Sequence, residues 1–517
     1  MTGIGTRGAI AAGHPKTVEA GIEMLRQGGN AFDAAIAAVL AACVLEPTLA
    51  SLGGGGFLLA HTANRQNILF DFFTQTPLQK NTSSVDFYPV GVDFGTVVQE
   101  FHVGLGSMAV PGVPAGLFHV HQRLGRLPLK AIAEPAIQFA RDGVELLDFQ
   151  AFCFKILEPI LMAAPEMRAI CAIDDMLMQA GAWTRNPKQA EAIAHLVEAG
   201  SRAFYEGEIA QRIAKDCAEL GGYLTLEDFR NYQVIERQPL KTTYRGTTLL
   251  TNPPPSSGGA LIAFSMGLMS ELDFGAMGFG SLTQVRSLAE VMRLTNHARS
   301  DGYDSHLNAP DVVEQFLSAE HLQAYRQKFS DVNKWGSTTH ISVLDGEGNA
   351  ASVTVSNGEG SSYMIPGTGI MMNNMLGEAD LHPGGFHQWQ ENVRISSMMS
   401  PTIVLNQHRL QIVLGSGGSN RIRTAILQVI SNILDHQMSV ETAVNSPRIH
   451  WENGVMNLEP GFANLAIDRT QFPFNKKLVQ WEQESLFFGG VHTVFAAADG
   501  SLSGAGDRRR RGTVAVL

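Results

Sequence analysis

Alternating apolar and polar positions mark out the elements of this chain before any single residue does. Gly8 to His14, Gly-Ala-Ile-Ala-Ala-Gly-His, reads as a short buried strand. A helix is predicted over Thr17 to Gln27, closed by Gly28-Gly29 as a C-cap. A second, Ala31 to Leu45, is apolar on most faces and therefore belongs between layers. Four glycines, Gly53 to Gly56, then run into a strand ending near Ala60, and Ile68 to Pro77 reads as a strand leaving the core. Gly104 to Gly116 predicts a strand and turn that open a helix to about Leu124. From Leu129 to Leu220 the period is mainly helical, with breaks near Asp142-Gly143 and Arg185-Asn186-Pro187.

Tyr244 to Leu250 is a predicted strand, closed by Pro253 to Gly259, and helices follow over Ala260 to Leu272 and Leu282 to Arg299. Residues 301–337 are polar and charged connectors. Beyond them strand signals crowd together at 339–344, 350–355, 402–405, 410–414 and 492–497, with helices at Arg421 to Asp435 and Val440 to Asn445. The pattern as a whole is mixed α and β, with helices outside central sheets. A chain of 517 residues exceeds what one small core holds, so two closely packed lobes or one large layered domain are expected.

Composition narrows the partners. A net charge of −11 argues against nucleic acid. The run Arg508 to Arg511 reads as a solvated turn or a set of local ion-pair partners. Cys43, Cys153, Cys171 and Cys217 lack paired metal spacing and sit in apolar contexts, so they read as buried free thiols of a reducing compartment. No metal or other cofactor is expected. The apolar run Ala34 to Leu45 is too short to span a bilayer, and Met1 to Gly8 holds no apolar secretory stretch. The expectation is a cytoplasmic protein with no membrane partner. Fifty-three glycines are the outlier; their clusters at 53–56, 258–259 and 415–418 mark close backbone approaches.

The chemistry gathers around Ser337-Thr338-Thr339-His340-Ile341-Ser342-Val343-Leu344-Asp345. Asp345-Gly-Glu-Gly-Asn349 is a turn between two alternating runs. Pairing Leu344 with Ala350 sets His340 opposite Thr354 and Thr338 opposite Ser356, so one hydroxyl faces another. A half-buried hairpin whose Ser/Thr face satisfies itself would look the same. A threonine hydroxyl needs a base beside it to attack a carbonyl. At a chain terminus its own α-amine, with a pKa of about 7.7–8.0, is such a base. Thr338 is internal, so that chemistry requires cleavage between Ser337 and Thr338. Gly415-Ser-Gly-Gly-Ser-Asn420, between a strand and a helix, offers backbone N–H groups to a developing oxyanion, although a tight turn alone would share its composition.

These residues resemble the start of the small subunit in the gamma-glutamyltransferases, members of the N-terminal-nucleophile hydrolases. Gly28 to Ala35, Leu52 to Phe57, Pro111 to Gly116, Pro253 to Gly259, Gly367 to Ile370, Asn373-Asn374, Ser400-Pro-Thr402 and Gly415 to Ser419 fit the same family in its order. The resemblance implies an α+β fold, a four-layer αββα sandwich, and autocleavage into a large chain (1–337) and a small chain (338–517) sharing one core. It implies Thr338 as nucleophile, Ser356 as the supporting hydroxyl, and Gly417 and Gly418 as the oxyanion hole. Glu378, Ser396 and Ser397 fall at the family's substrate-binding positions, the acid toward an α-ammonium and the serines toward an α-carboxylate. The implied partners are a small gamma-glutamyl or related acyl amide and the two chains of one precursor; a higher oligomer stays open.

The match weakens around the substrate. Phe73 stands where the family's carboxylate-gripping arginine would be, and phenylalanine makes no charge-assisted bond. Met375 replaces a glutamine, Gly358 an asparagine, and an extra methionine beside Ser396-Ser397 leaves their alignment ambiguous by one. Only 18 residues separate Glu378 from Ser397, too few for the family's covering lid. Three readings follow: an amidase or acyltransferase for gamma-glutamyl amides, a cephalosporin-acylase-like enzyme with a changed acyl pocket, or a binding protein that keeps only the fold. Retention of Thr338, Ser356, Gly417 and Gly418 argues against the last.

Overall fold

The computed structural model describes residues 7–80, 84–93, 98–303, 306–307, 309, 311–324, 338–382, 384–462, 465 and 476–517. Two sheets organise it. Their strands, in chain order, are β1 (Gly8–Ala12), β2 (Gly55–His61), β3 (Asn67–Phe72), β4 (Ile235–Arg237), β5 (Leu240–Tyr244), β6 (Thr247–Thr251), β7 (Thr339–Asp345), β8 (Ala350–Ser356), β9 (Thr402–Asn406), β10 (Arg409–Gly417), β11 (Gly490–Ala496), β12 (Leu502–Ala505) and β13 (Thr513–Val516). The seven-stranded sheet runs β4-β3-β2-β8-β7-β1-β13 and the six-stranded sheet β5-β6-β9-β10-β11-β12. All pairings in both are antiparallel.

β7 and β8 pack against β10 and β11 across the interface between the sheets. That interface is partly polar. Ser342 Oγ donates to the His492 carbonyl (3.0 Å) and Ser352 Oγ to the Leu414 carbonyl (2.9 Å). The His340 ring bridges Thr354 and Ser342 at 2.8 and 2.9 Å, its pKa pushed well below the usual histidine range by burial. Gly415 leaves room for that ring, since a Cβ there would lie 2.3 Å from it. Every buried polar group in this layer must find a partner, and these do.

On the outer face of the seven-stranded sheet lie α1 (Pro15–Arg26) and α2 (Ala31–Leu45). α2 is buried at every position but Val44, as its uniformly apolar sequence requires. Asn30 and Asp33 form a capping box at its start, and Asp345 of the β7–β8 turn accepts the Ala31 N–H (3.0 Å). The second sheet is covered by α3 (Gly258–Met269) and α4 (Arg421–Leu434). The result is the expected four-layer αββα sandwich.

Several details differ from the sequence pattern. The strand expected within Gly104–Gly116 is a short 3₁₀ turn at Leu105–Ser107, and Tyr88–Asp93 and Val98–Val103 form an unforeseen hairpin. The single strand expected from Tyr244 is a hairpin, β5–β6, turning at Arg245 (φ 47°) and Gly246 (φ 77°). The C-terminal residues Thr513–Val516 add a strand beside β1. Much of the expected connector, including Ser337, lies outside the described residues. All four cysteines are buried and free, as expected. Among the described residues no helix is long and apolar enough to cross a membrane, and no cluster of three or more His, Cys, Asp or Glu is arranged to hold a metal.

Candidate active site

The β7–β8 ladder pairs Leu344 with Ala350 and Thr339 with Val355, the register read from the turn. It brings Thr338, one residue ahead of β7, to the end of β8, where Thr338 Oγ1 donates to Ser356 Oγ at 3.4 Å. Both side chains are buried and line a cavity of about 60 Å³. Ser356 also accepts the Gly358 N–H (3.1 Å). Glu378, Ser396 and Ser397 line the same cavity, so five of the seven candidate residues converge there.

Gly417 and Gly418 stand behind it. Gly417 closes β10 against the backbone of Thr338: a Cβ on it would lie 2.0 Å from the Thr338 carbonyl oxygen. Gly418 turns away at φ 123°, a conformation open to glycine, and its carbonyl accepts the Arg421 N–H at the start of α4 (3.1 Å). The two glycines therefore flank Thr338 from the helix N-terminal side rather than lining the cavity wall.

The acid side is more heavily built than the sequence suggested. Glu378 is half-buried, with Oε1 shielded from solvent and unpaired, and desolvation together with Glu359 and Asp380 pushes its carboxyl well above the usual range. A carboxyl shielded from water beside two others holds its proton; an arriving cation would return its charge. Gly358 explains how the longer acid fits. A Cβ at 358 would meet Asn374 Oδ1 at 2.1 Å and Glu378 Oε1 at 2.2 Å, so the missing asparagine and the glutamate share one space. Asn374 fills the gap, accepting the Glu359 N–H (3.0 Å). Asp380 also lines the cavity and accepts from Ser419 Oγ (2.9 Å).

On the opposite wall Phe73 lines the cavity and stacks on Phe57, ring centroids 5.3 Å apart. Arg394 lies near but is committed elsewhere: Nε sits 3.2 Å from Asp71, and Nη1 donates to the Phe73 carbonyl (2.6 Å). The basic residue that does line the cavity is Arg299, which also donates to Asn420 Oδ1 (3.2 Å). Ser396 and Ser397 both line the cavity, as do Met398 and Met399. Part of the stretch between Glu378 and Ser396 is tied to neighbouring segments. Tyr223 holds His387 (2.9 Å) and Thr76 accepts the Val393 N–H (2.9 Å), leaving Asp380 and Leu381 as its cavity-lining residues among those described.

Sequence reasoning missed Arg299, remote from Thr338 and without a local motif, and passed over Glu359 and Asp380, which lie just beyond Gly358 and Glu378. It also misread part of the arginine run. Arg508 pairs with Glu484 at the surface, and Arg509 is buried against Glu459 and Asp507 (3.2 Å). Arg510 is neither solvated nor a surface partner: it is buried, and its Nη1 donates to the Thr338 carbonyl at 2.8 Å.

An αββα sandwich with a buried threonine hydroxyl heading a central strand defines the class of the N-terminal-nucleophile hydrolases. The chain belongs to the gamma-glutamyltranspeptidase family, whose sequence model matches residues 17–517. It is 29% identical to the acylase ACY 1 proenzyme of Pseudomonas sp. (strain V22), covering 99% of this chain and 94% of that one. It is also 29% identical to the glutathione hydrolase proenzyme of Escherichia coli (strain K12), covering 97% and 90%. A crystal structure of cephalosporin acylase from Bacillus halodurans superimposes with a TM-score of 0.85 over 99% of this chain and 96% of that one, at 24% identity.

Proposed function

We propose that this chain is a precursor that cuts itself between Ser337 and Thr338, and that Thr338 then cleaves gamma-glutamyl or closely related acyl amides. The observation that carries this reading is the cavity in which the Thr338 hydroxyl meets Ser356 beside Glu378, Ser396 and Ser397. In the first step Thr338 Oγ1 attacks the Ser337 carbonyl carbon. The C–O bond forms, the C–N bond breaks, and the hydroxyl proton ends on the departing Thr338 nitrogen. Water then hydrolyses the ester, releasing the Ser337 carboxylate and a free threonine with its α-amine. In turnover that amine takes the hydroxyl proton while Oγ1 attacks the substrate amide, and gives it to the leaving amine. The acyl-Thr338 ester passes to water or to an acceptor amine.

Glu378, with Asp380 and Glu359 behind it, suits an α-ammonium, and the serines with Arg299 suit a carboxylate. A second reading rests on Phe73. With an aromatic ring where the family grips an α-carboxylate, the pocket also suits a glutaryl-type acyl group of the kind a cephalosporin acylase removes.

Denaturing electrophoresis tests the first step. The purified protein should give two pieces and Thr338→Ala one; a Thr338→Ala protein that still divides overturns the reading. Gamma-glutamyl-anilide assayed beside glutaryl-anilide separates the two acyl classes. Preference for the ammonium-bearing substrate supports the first, and indifference or its reversal supports the second.

A further inference from the structure

Arg510 sits deeper than any function yet given to it requires. Its guanidinium occupies a slot made by three glycines. A Cβ at Gly490 would lie 2.2 Å from Arg510 Cδ, one at Gly417 2.9 Å from Nη1, and one at Gly418 3.4 Å from Nη2. The slot places Nη1 on the Thr338 carbonyl (2.8 Å) directly behind the Gly417-Gly418 turn. A buried cation ordinarily pairs with a carboxylate. The neighbouring Asp507 is spoken for: it lies 2.7 Å from Arg448 and 3.2 Å from Arg509. Among the described residues Arg510 has no carboxylate within ion-pair distance, and its Nε has no hydrogen-bond partner. Glu46, Cys153, His492 and Arg421 are the other titratable groups that feel its charge. Glu46 itself accepts from the Thr339 hydroxyl at 3.1 Å.

We propose that Arg510 is a positioning residue for both reactions of Thr338, clamping its carbonyl so that Oγ1 faces the scissile bond and setting a buried positive charge behind the oxyanion turn. This inference rests on the function proposed above. Two consequences follow from the geometry. Holding the Thr338 carbonyl fixes the backbone on the C-terminal side of this residue, and with it the place of the Cα–Cβ bond beside the scissile peptide, which serves self-cleavage. The charge lies on the side of Gly417-Gly418 away from the cavity, where it favours the negative charge that develops on the attacked carbonyl oxygen in either reaction. Loss of preorganised stabilisation of this type lowers kcat and leaves KM almost unchanged.

Arg510→Met keeps the apolar stem and removes charge and donors; Arg510→Lys keeps the charge. Self-cleavage is followed on gels, and kcat and KM for the anilide substrate are measured on the matured fraction. The full-length protein is used throughout, with melting temperature recorded. Arg510→Met should slow self-cleavage and lower kcat by about 10- to 100-fold, the range below or near that of a lost oxyanion donor, with KM within about twofold. Arg510→Lys should fall between Arg510→Met and wild type. Guanidinium ion added at a non-denaturing concentration to Arg510→Ala should restore part of the rate. Wild-type cleavage and kcat in Arg510→Met overturn the inference. So does equal loss in the Met and Lys variants that tracks the melting temperature and resists guanidinium. Thr338→Ala, run beside them, separates the failures: if it still cleaves, the proposed nucleophile is wrong, and if only Arg510→Met cleaves normally, the role of Arg510 is wrong.

Discussion

At the scale of single residues, the site is a set of substitutions that fit one another. Glu378 has room because Gly358 has no side chain, and Asn374 occupies what is left. Gly358→Asn should therefore displace Glu378 as well as strain a backbone at φ 61°. If Glu378 receives an ammonium group, Glu378→Gln should cost about 10- to 100-fold in kcat/KM for an ammonium-bearing substrate, as a charged hydrogen bond becomes a neutral one. The same change should leave the glutaryl-anilide rate nearly unaltered; equal losses for both substrates contradict the assignment. Arg299→Gln should raise KM for both, since each carries a distal carboxylate.

Glu46 gives a second residue-level test, of stability. Burial pushes its carboxyl from 4.5 up to about 7, against the Thr339 hydroxyl and Arg510, which pull it down. Between those values the folded protein keeps a proton that the unfolded chain releases. The protonated group's contribution is thus fully present below pH 4.5, shrinks as pH rises through the window, and is gone above about 7. Glu46→Gln should flatten that decline by roughly 3 kcal/mol at most, the shift converted at about 1.4 kcal/mol per unit. Urea midpoints at the two ends of the window measure it; an unchanged slope means Glu46 is not the group responsible. Thr338 and Ser356 were legible because a hairpin turn fixes register locally. Arg299, Asp380 and Arg510 were not, because only the tertiary fold brings residues from three distant segments around Thr338.

At the scale of elements, the β7–β8 hairpin and the Gly415–Asn420 turn do the positioning. Gly417→Ala drives a methyl group to 2.0 Å from the Thr338 carbonyl, so this variant should fold yet stay uncleaved. A cleaved Gly417→Ala protein would show that the turn yields without loss. α1, α2, α4 and the central strands were readable because long periodic runs carry their own signal. The β5–β6 hairpin was not: apolar residues continue across Arg245-Gly246, and one strand and two look alike until the positive φ of both turn residues is seen. The edge strand β13 follows an arginine run that conceals it, and its pairing with β1 spans almost the whole chain.

At the scale of the molecule, both sheets are built from the two sides of position 338. β8 pairs with β2, β7 with β1, β1 with β13 and β9 with β6. Cutting before Thr338 therefore creates two new chain ends without freeing either chain. The two pieces should co-elute at the mass of the whole protein in native buffer and part only in denaturant; separation in native buffer would contradict a shared core. Helices outside central sheets were legible from the pattern and the αββα layering from the family resemblance, whereas strand order was not, because pairing between segments far apart in the chain leaves no local trace.

The most direct test of the account is the N-terminal sequence of the smaller fragment. The expected result is Thr-Thr-His-Ile-Ser-Val, starting at Thr338, with the fragment absent from Thr338→Ala. A fragment that starts elsewhere, or a fully active protein that remains one chain, would contradict it.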